Sequence, residues 1–453
     1  VNSPSTGLTA VLLFAGVLSA VSIYRLFVLY APKSILSVAT ASIVGIFLAT
    51  AAPSMFSKVA SQQVTFYSAL KEPVTLNGRI FDIASGVGLV ALAGVLLVAL
   101  LRAMSSSRSI LSATVGPPLA LATIFGAISA GTLLNSHRWP SLVIITVIIL
   151  LLAVILKDFK RHNLTFGVTL ISQCIALASA VSGLLGLPGA VEICRADKCG
   201  VAGVLFSGVA SHENSLALML VMTLPFLLVI GDRRLMATSA CAVLLLVVVS
   251  GSRTSLLALG GLALVWFLVV VHGDRVPRFR PGILALVPLG GIALSVVLTT
   301  SDLAPSAFTG RAGLWEIARG YIATNPWIGL GAEGWSDIRR TTGSFDSASV
   351  YSPHNLFLDV WLQGGFIAGV AFVVLLGYWI GRGIRGDFAS LFYVTTLVWA
   401  GILERPVSFG APDWSTIALA SGILLLASSP RDEVWPFRPN TRISAKTPPI
   451  MSH

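Results

Sequence analysis

Apolar runs of about 20 residues, long enough to cross a hydrocarbon core of roughly 30 Å as helix, recur along the whole chain between short polar connections. They predict membrane spans near 8–29, 34–52, 82–101, 111–134, 139–156, 164–187, 204–230, 235–250, 255–271, 282–299, 355–381, 388–403 and 414–428, about 12 to 13 in all. One stretch breaks this pattern. From Thr309 to Leu358 the chain is of mixed polarity, and the segment 300–354 reads as a long external loop carrying interfacial helices. The expectation is an all-α polytopic membrane protein with residues 1–453 as one integral domain and 430–453 as a cytoplasmic tail. The first 30 residues show no basic start followed by a small-residue cleavage site, so they read as a span rather than a removable signal.

Composition agrees with the pattern. Hydrophobic residues make up 55% of the chain and charged residues 11%, and the mean hydropathy is +0.88; a soluble domain would have roughly 25% charged residues. The net charge of +11 is concentrated in alternate connections. Lys33, Arg102 with Arg108, Lys157 with Lys160 and Arg161, Arg233 with Arg234, Arg275 with Arg278 and Arg280, and Arg382 with Arg385 fall on one side, and Arg431, Arg438, Arg442 and Lys446 join them. Retention of Lys and Arg in the cytoplasm places 53–81, 188–203, 251–254, 300–354 and 404–413 outside, and the odd span count leaves the N-terminus outside. A basic face against anionic lipid accounts for the net charge. Nucleic-acid binding is excluded, because the chain has no soluble basic domain with interleaved aromatics.

Cys174 and Cys241 lie in apolar spans and read as small packing residues. Cys194 and Cys199 flank Arg195 to Lys198 in an outside connection, where oxidation is permitted. They read as a local disulfide that stiffens the loop without taking part in chemistry, or else as half of a zinc site with no second pair nearby. No internal repeat is visible, which counts against a transporter built from two related halves.

Three polar clusters stand out. The first, Ser250-Gly-Ser-Arg253-Thr-Ser255, is the turn between two apolar runs. The preceding run from Leu235 gives only about 24 Å of helix, so the turn lies at or below the outer membrane surface. Arg253 there either serves an anionic partner or reaches to the headgroups. The second starts at Gly310-Arg311 and closes at Asn325-Pro326; Leu314, Ile317, Ala318, Tyr321 and Ile322 recur at helical spacing. This is an amphipathic helix on the outer surface with Arg311, Trp315 and Arg319 along one face, and a plain interfacial helix is its other reading. The third is Ser352-Pro-His354-Asn355 before a strongly apolar run. Ser352 reads as N-cap and Pro353 as first helical residue, which puts His354 in the first turn, where the helix dipole disfavours the imidazolium and a neutral ring can accept a proton. The other reading is a helix-start histidine with no chemistry.

Taken in order, the arginine in SGSRTS, the Gly-Arg…Trp helix followed by NPWIGLG at 325–331, and the His-Asn before an apolar run resemble the O-antigen ligases and related Wzy-type polysaccharide polymerases. The likeness covers mainly residues 200–380. It implies a GT-C-like, inverting, metal-independent glycosyltransferase of the bacterial inner membrane with its site on the periplasmic or extracellular side. Such an enzyme needs no cofactor, and it transfers a glycan from a polyprenyl-diphosphate-linked donor to the hydroxyl of a glycan or glycolipid acceptor. By this resemblance His354 matches the base and Arg253 and Arg311 the donor-diphosphate site; Arg319, Trp315, Asn355 and Asn214 are read as further substrate contacts, a plain polar helix entry being the other reading of Asn214. The family usually shows a Pro-Asn pair where this chain has Glu213-Asn214.

The chemistry fits the residues present. A lipid-linked sugar diphosphate needs an apolar groove for its tail, cations for its leaving group and a base for the incoming hydroxyl, and two arginines in a partly dehydrated site neutralise developing charge strongly. Asp302, Glu316, Glu333, Asp337 and Asp346 are scattered along the loop rather than grouped as a magnesium site. The alternative from another class is a lipid-linked oligosaccharide flippase or transporter, which would place its charges near the membrane midplane on discontinuous spans.

Overall fold

In lipid every backbone N–H and C=O must find its partner within the protein, so long apolar runs resolve into helices. The computed structural model describes residues 6–34, 37–61, 78–105, 116–136, 148–149, 151, 160–194, 198–271, 280–342, 352–410 and 413–428. The helices among them are α1 (Thr6–Ser34), α2 (Val38–Thr50), α3 (Ala52–Ser61), α4 (Gly78–Ser105), α5 (Gly116–Ser136), α6 (Arg161–Leu184), α7 (Glu213–Leu227), α8 (Arg233–Ser250), α9 (Arg253–Val271), α10 (Arg280–Thr300), α11 (Arg311–Thr324), α12 (Gly334–Thr342), α13 (Leu356–Ile384), α14 (Phe388–Gly401) and α15 (Thr416–Ala427). A two-stranded antiparallel hairpin, β1 (Val191–Ile193) and β2 (Val204–Phe206), pairs Val191 with Phe206. The chain is an all-α polytopic membrane protein. Among the described residues seven helices are long and apolar enough to span, namely α1, α5, α6, α8, α9, α10 and α13; α2 and α3 form a pair bent by 50°, and α4, α7, α14 and α15 supply shorter apolar segments. Apart from 148, 149 and 151, the expected span at 139–156 lies outside the described residues, as does the tail 430–453.

Three expectations change, the third of them at α11 below. The span read at 204–230 is helical only from Glu213, because its first residues pair as β2 and then turn, with the Ser207 and Gly208 N–H groups both donating to Ala190 O. Cys174 does not pack in the interior; it is exposed on α6, and Cys241 is half-buried.

Contacts at the helix ends sort them into two groups. At one end Arg161 forks onto Asp387, Nη1 to Oδ1 at 2.6 Å and Nη2 to Oδ2 at 2.8 Å, and its Nε donates to Ser428 Oγ. Arg382 adds a second cation at 2.8 Å, and nearby Arg25 pairs with Asp232 at the start of α8. These are ends of the basic connections. The opposite end gathers the hairpin, the α8–α9 turn, α11, α12 and the start of α13. There Lys58 of α3 is buried against Gly189 O, Ser207 Oγ, Gly208 O and Ala210 O, tying the bent α2–α3 pair to the segment that leads into α7.

α13 is broken where a second segment joins it. Gly365 has φ +61° inside the helix, which an L side chain rarely adopts. The residues of NPWIGLG fill the break through backbone bonds: Leu330 N donates to Leu362 O, Gly331 N to Gln363 O and Phe366 N to Pro326 O. Alongside, α11 and α12 bury Leu314, Trp315, Ala318, Trp335 and Ile338 against Leu358 and Leu362 of α13. The apolar stripe of α11 therefore packs on protein, where the sequence reading had laid it on the membrane surface.

Candidate active site

Glu404 follows the C-terminus of α14, its N–H bonded to Ala400 O, and its carboxylate is the hub of the hairpin end. Oε1 accepts from Arg311 Nη2 at 2.6 Å and from Asn214 Nδ2 at 3.1 Å, and Oε2 lies 2.8 Å from His354 Nδ1. Burial alone would raise the carboxyl pKa, but the neighbouring His354 and Arg311, with His212 beyond them, outweigh it and hold the group well below the usual carboxylate range. An ionised carboxylate can only accept hydrogen bonds. His354 Nδ1 therefore carries a proton toward Glu404, and in the neutral ring the basic lone pair is on Nε2.

The local sequence places each partner. Gly310, at φ +84°, precedes Arg311, and Phe308 and Thr309 before it are also left-handed at +53° and +64°. Such residues cost roughly 1–2 kcal/mol each outside glycine, so the entry to α11 is a strained turn that sets the direction of Arg311. His354 is left-handed as well, at φ +51°. It stands before α13 rather than in its first turn, contrary to the sequence expectation, because Ser352 Oγ accepts from His354 N at 3.2 Å and closes a turn there. The N-cap is Asn355, whose Oδ1 accepts from Leu358 N at 3.0 Å and whose Nδ2 donates to Ser295 Oγ and Ile402 O. Strained backbone of this kind clusters at functional sites.

Asn214 is in the first turn of α7, where His212 Nδ1 accepts from its N–H. Its side chain bridges two charges, with Nδ2 on Glu404 and Oδ1 2.7 Å from Lys198 Nζ. Lys198 also pairs with Glu213 at 2.8 Å, and His212 Nε2 is 3.2 Å from the other Glu213 oxygen. Cys194 and Cys199 are joined as a disulfide, so Lys198 is presented from a closed loop. Next to Glu404, Arg405 turns the other way, 3.7 Å from Asp359 and 3.3 Å from Asp413.

The other sequence candidates separate. Arg253 opens α9 two residues after left-handed Gly251 and is exposed at this same end. Its turn packs on the disulfide loop, since a Cβ on Gly251 would stand 2.8 Å from Gly200 Cα. Arg319, two turns along α11, is half-buried and outside the Glu404 cluster. Trp315 and Asn355, read as substrate contacts, are both buried. Trp315 is 1% exposed and packed against Phe308, ring centroids 5.6 Å apart, while Asn355 is fully buried as the α13 cap. Both position the backbone that carries Arg311 and His354. Sequence reasoning missed Glu404, Lys198, Glu213 and His212; an acidic residue at the end of a short apolar run, in a chain with few charges, was the one signal for Glu404. Among the described residues no group of three or more His, Cys, Asp or Glu could hold a metal ion.

Residues 236–373 match the family model described as O-antigen ligase. This segment is O-antigen ligase-like. No curated protein matches the chain. The O-antigen ligase match runs from α8 into α13 and takes in Arg253, Arg311, Arg319 and His354. Asn214 and Glu404 lie outside it on either side, so the fold brings to the matched segment two partners that its own sequence does not contain.

Proposed function

We infer that the chain is a membrane glycosyltransferase-like ligase or polymerase acting on lipid-linked glycans, a reading supported by the O-antigen ligase family model that residues 236–373 match. We propose that it transfers a glycan from a polyprenyl-diphosphate donor to an acceptor hydroxyl, with inversion and without a metal ion, at the periplasmic face of a bacterial inner membrane. The observation that carries this reading is the His354–Glu404–Arg311 cluster, a base oriented by a carboxylate beside a cation. Its position at the helix ends, away from the middle of the spans, favours an enzyme over a flippase.

In this mechanism Glu404 keeps the His354 proton on Nδ1, and Nε2 takes the proton of the acceptor hydroxyl as that oxygen attacks the anomeric carbon. The bond from the anomeric carbon to the phosphate oxygen breaks on the opposite face, and the diphosphate departs with the electron pair. Arg311, one nitrogen held by Glu404, and Arg253 at the neighbouring turn neutralise the leaving charge. A guanidinium stays protonated and has five donors, enough to serve a carboxylate and a phosphate together. Arg319 extends this basic face along α11. Asn214 acts through Glu404. Ligase and polymerase share these steps and differ in the acceptor.

The test is turnover of a lipid-linked glycan donor by purified His354→Ala protein. Loss on the order of 10²- to 10⁴-fold is expected, as for a positioned acid–base group, with donor binding nearly unchanged and wild-type turnover surviving EDTA. Retained turnover in His354→Ala, or a strict magnesium requirement, overturns the mechanism.

A further inference from the structure

We infer that Lys198 is a positioning residue that fixes the orientation of the Asn214 amide and, through it, the Glu404 carboxylate that holds His354 and Arg311. This rests on the functional reading above. The ammonium of Lys198 stands 2.7 Å from Asn214 Oδ1 and 2.8 Å from Glu213 Oε1. A lysine ammonium has three donors and no acceptor, so the Asn214 atom facing it must be the carbonyl oxygen. The NH2 group is thereby committed to the other side, where it donates to Glu404 Oε1 at 3.1 Å.

Nothing else in the asparagine distinguishes its two ends; only partners decide an amide's orientation. Here a cation on one side and a carboxylate on the other decide it together. With the ammonium gone, Asn214 Oδ1 is left without its donor beside the buried Glu213 carboxylate, which then competes with Glu404 for the amide NH2. The groups bonded to Glu404 are Arg311 from α11, His354 from the turn before α13 and Asn214 from the start of α7, with the charge of His212 acting from beyond them. Arg405 is engaged with Asp359 and Asp413. Lys198 and Glu213 form the layer behind, and Glu213, fully buried, anchors the ammonium in place.

The disulfide makes this arrangement possible. Lys198 is the residue before Cys199, whose bond to Cys194 closes a loop with Cα atoms 4.6 Å apart. Gly200 N then bonds Val204 O and turns the chain back into β2. A long side chain on an open loop would lose more conformational freedom in reaching Asn214 than one held by a short covalent ring. The ring therefore supports the chemistry, where the sequence reading had made it only a stiffener.

The experiment is a double-mutant cycle on the full chain with Lys198→Met, Asn214→Ala and the pair, read as kcat and KM with a lipid-linked donor. Lys198→Met is expected to lower kcat on the order of 10-fold with KM little changed, and Lys198→Arg to restore most of it. In the Asn214→Ala background the same substitution should cause no further loss, because the residue through which Lys198 acts is gone. The variant Cys194→Ser/Cys199→Ser provides a second route should Lys198→Met not fold; it frees Lys198 without altering it and should show the same loss in kcat and the same dependence on Asn214. Wild-type kcat in Lys198→Met, or losses that multiply with those of Asn214→Ala, overturn the inference. His354→Ala measured alongside separates the two readings: activity there sinks the proposed function, whereas an inactive His354→Ala with an unaffected Lys198→Met sinks only the role of Lys198.

Discussion

Glu404 Oε2 stands 2.8 Å from His354 Nδ1 while its other oxygen holds Arg311 Nη2 at 2.6 Å, although these partners are 50 and 93 positions away along the chain. One carboxylate thus sets both the ring orientation of the base and the position of the cation. Glu404→Gln keeps the volume but removes the charge and presents an amide donor to one of two groups that are themselves donors. Turnover should fall on the order of 10²-fold, more than donor affinity does. Turnover at the wild-type level in a folded Glu404→Gln protein would mean that His354 needs no orienting partner.

Arg311→Lys and Arg253→Lys test the geometry of the cations. Lysine keeps the charge but cannot fork onto phosphate, and at position 311 it would have to hold Glu404 as well. Each substitution should reduce turnover by at least about 10-fold, a difference of roughly 1.4 kcal/mol in the barrier. Full activity in both would show that charge alone suffices.

Stability should depend on pH through Glu404 and Asp387. Arg161 and Arg382, against the opposing effect of burial, hold Asp387 below its ordinary range, as His354 and Arg311 do for Glu404. A carboxyl whose pKa is lower folded than unfolded binds its proton more readily in the unfolded chain, so its contribution is fully present above about pH 4, the ordinary carboxylate value, and is lost as the pH falls further. The melting temperature in detergent should be flat from neutral to about pH 5 on this account and decline in acid. Glu404→Gln should make that decline shallower; an unchanged acid slope would contradict the assignment.

Asp387→Ala leaves Arg161 buried without its fork at the end of the bundle opposite Glu404. Removing one partner of a buried pair costs about 3–5 kcal/mol. The variant should denature at clearly lower temperature, while turnover per folded molecule stays near wild type. A specific loss of turnover at unchanged stability would tie this end of the bundle to the chemistry.

Gly365→Ala places a Cβ 2.3 Å from the Trp327 carbonyl carbon, at a φ of +61°. The segment 325–331 must then leave the break in α13, and with it the packing of α11 and α12 loosens. Left-handed strain alone amounts to roughly 1–2 kcal/mol, and the clash adds to it. Limited proteolysis should cut within 325–342 faster than in wild type, with turnover falling in parallel; equal cutting rates would show that the break tolerates a side chain.

The chain determined its helices by itself because a membrane span satisfies its own backbone hydrogen bonds, so an apolar run of sufficient length is enough to specify one. The alternating basic connections likewise anticipated which helix ends lie together, with Arg161, Arg382 and Asp232 at one end and the hairpin, α11 and Glu404 at the other. Arg253, Arg311 and His354 were legible as polar residues in apolar surroundings. The span read at 204–230 was not, because the glycines and serines before Glu213 form a turn that only the neighbouring strand and Lys58 complete. Trp315 and Asn355 looked like site residues from their neighbours in sequence, but the packing of α11 on α13 and the cap of α13 absorb them. That His354, Arg311 and Asn214 converge on Glu404 had no local pattern to betray it. A buried ion pair depends on which helix ends meet in space, and His354, Arg311, Asn214 and Lys198 come from four separate segments whose meeting is decided by the packing of the spans.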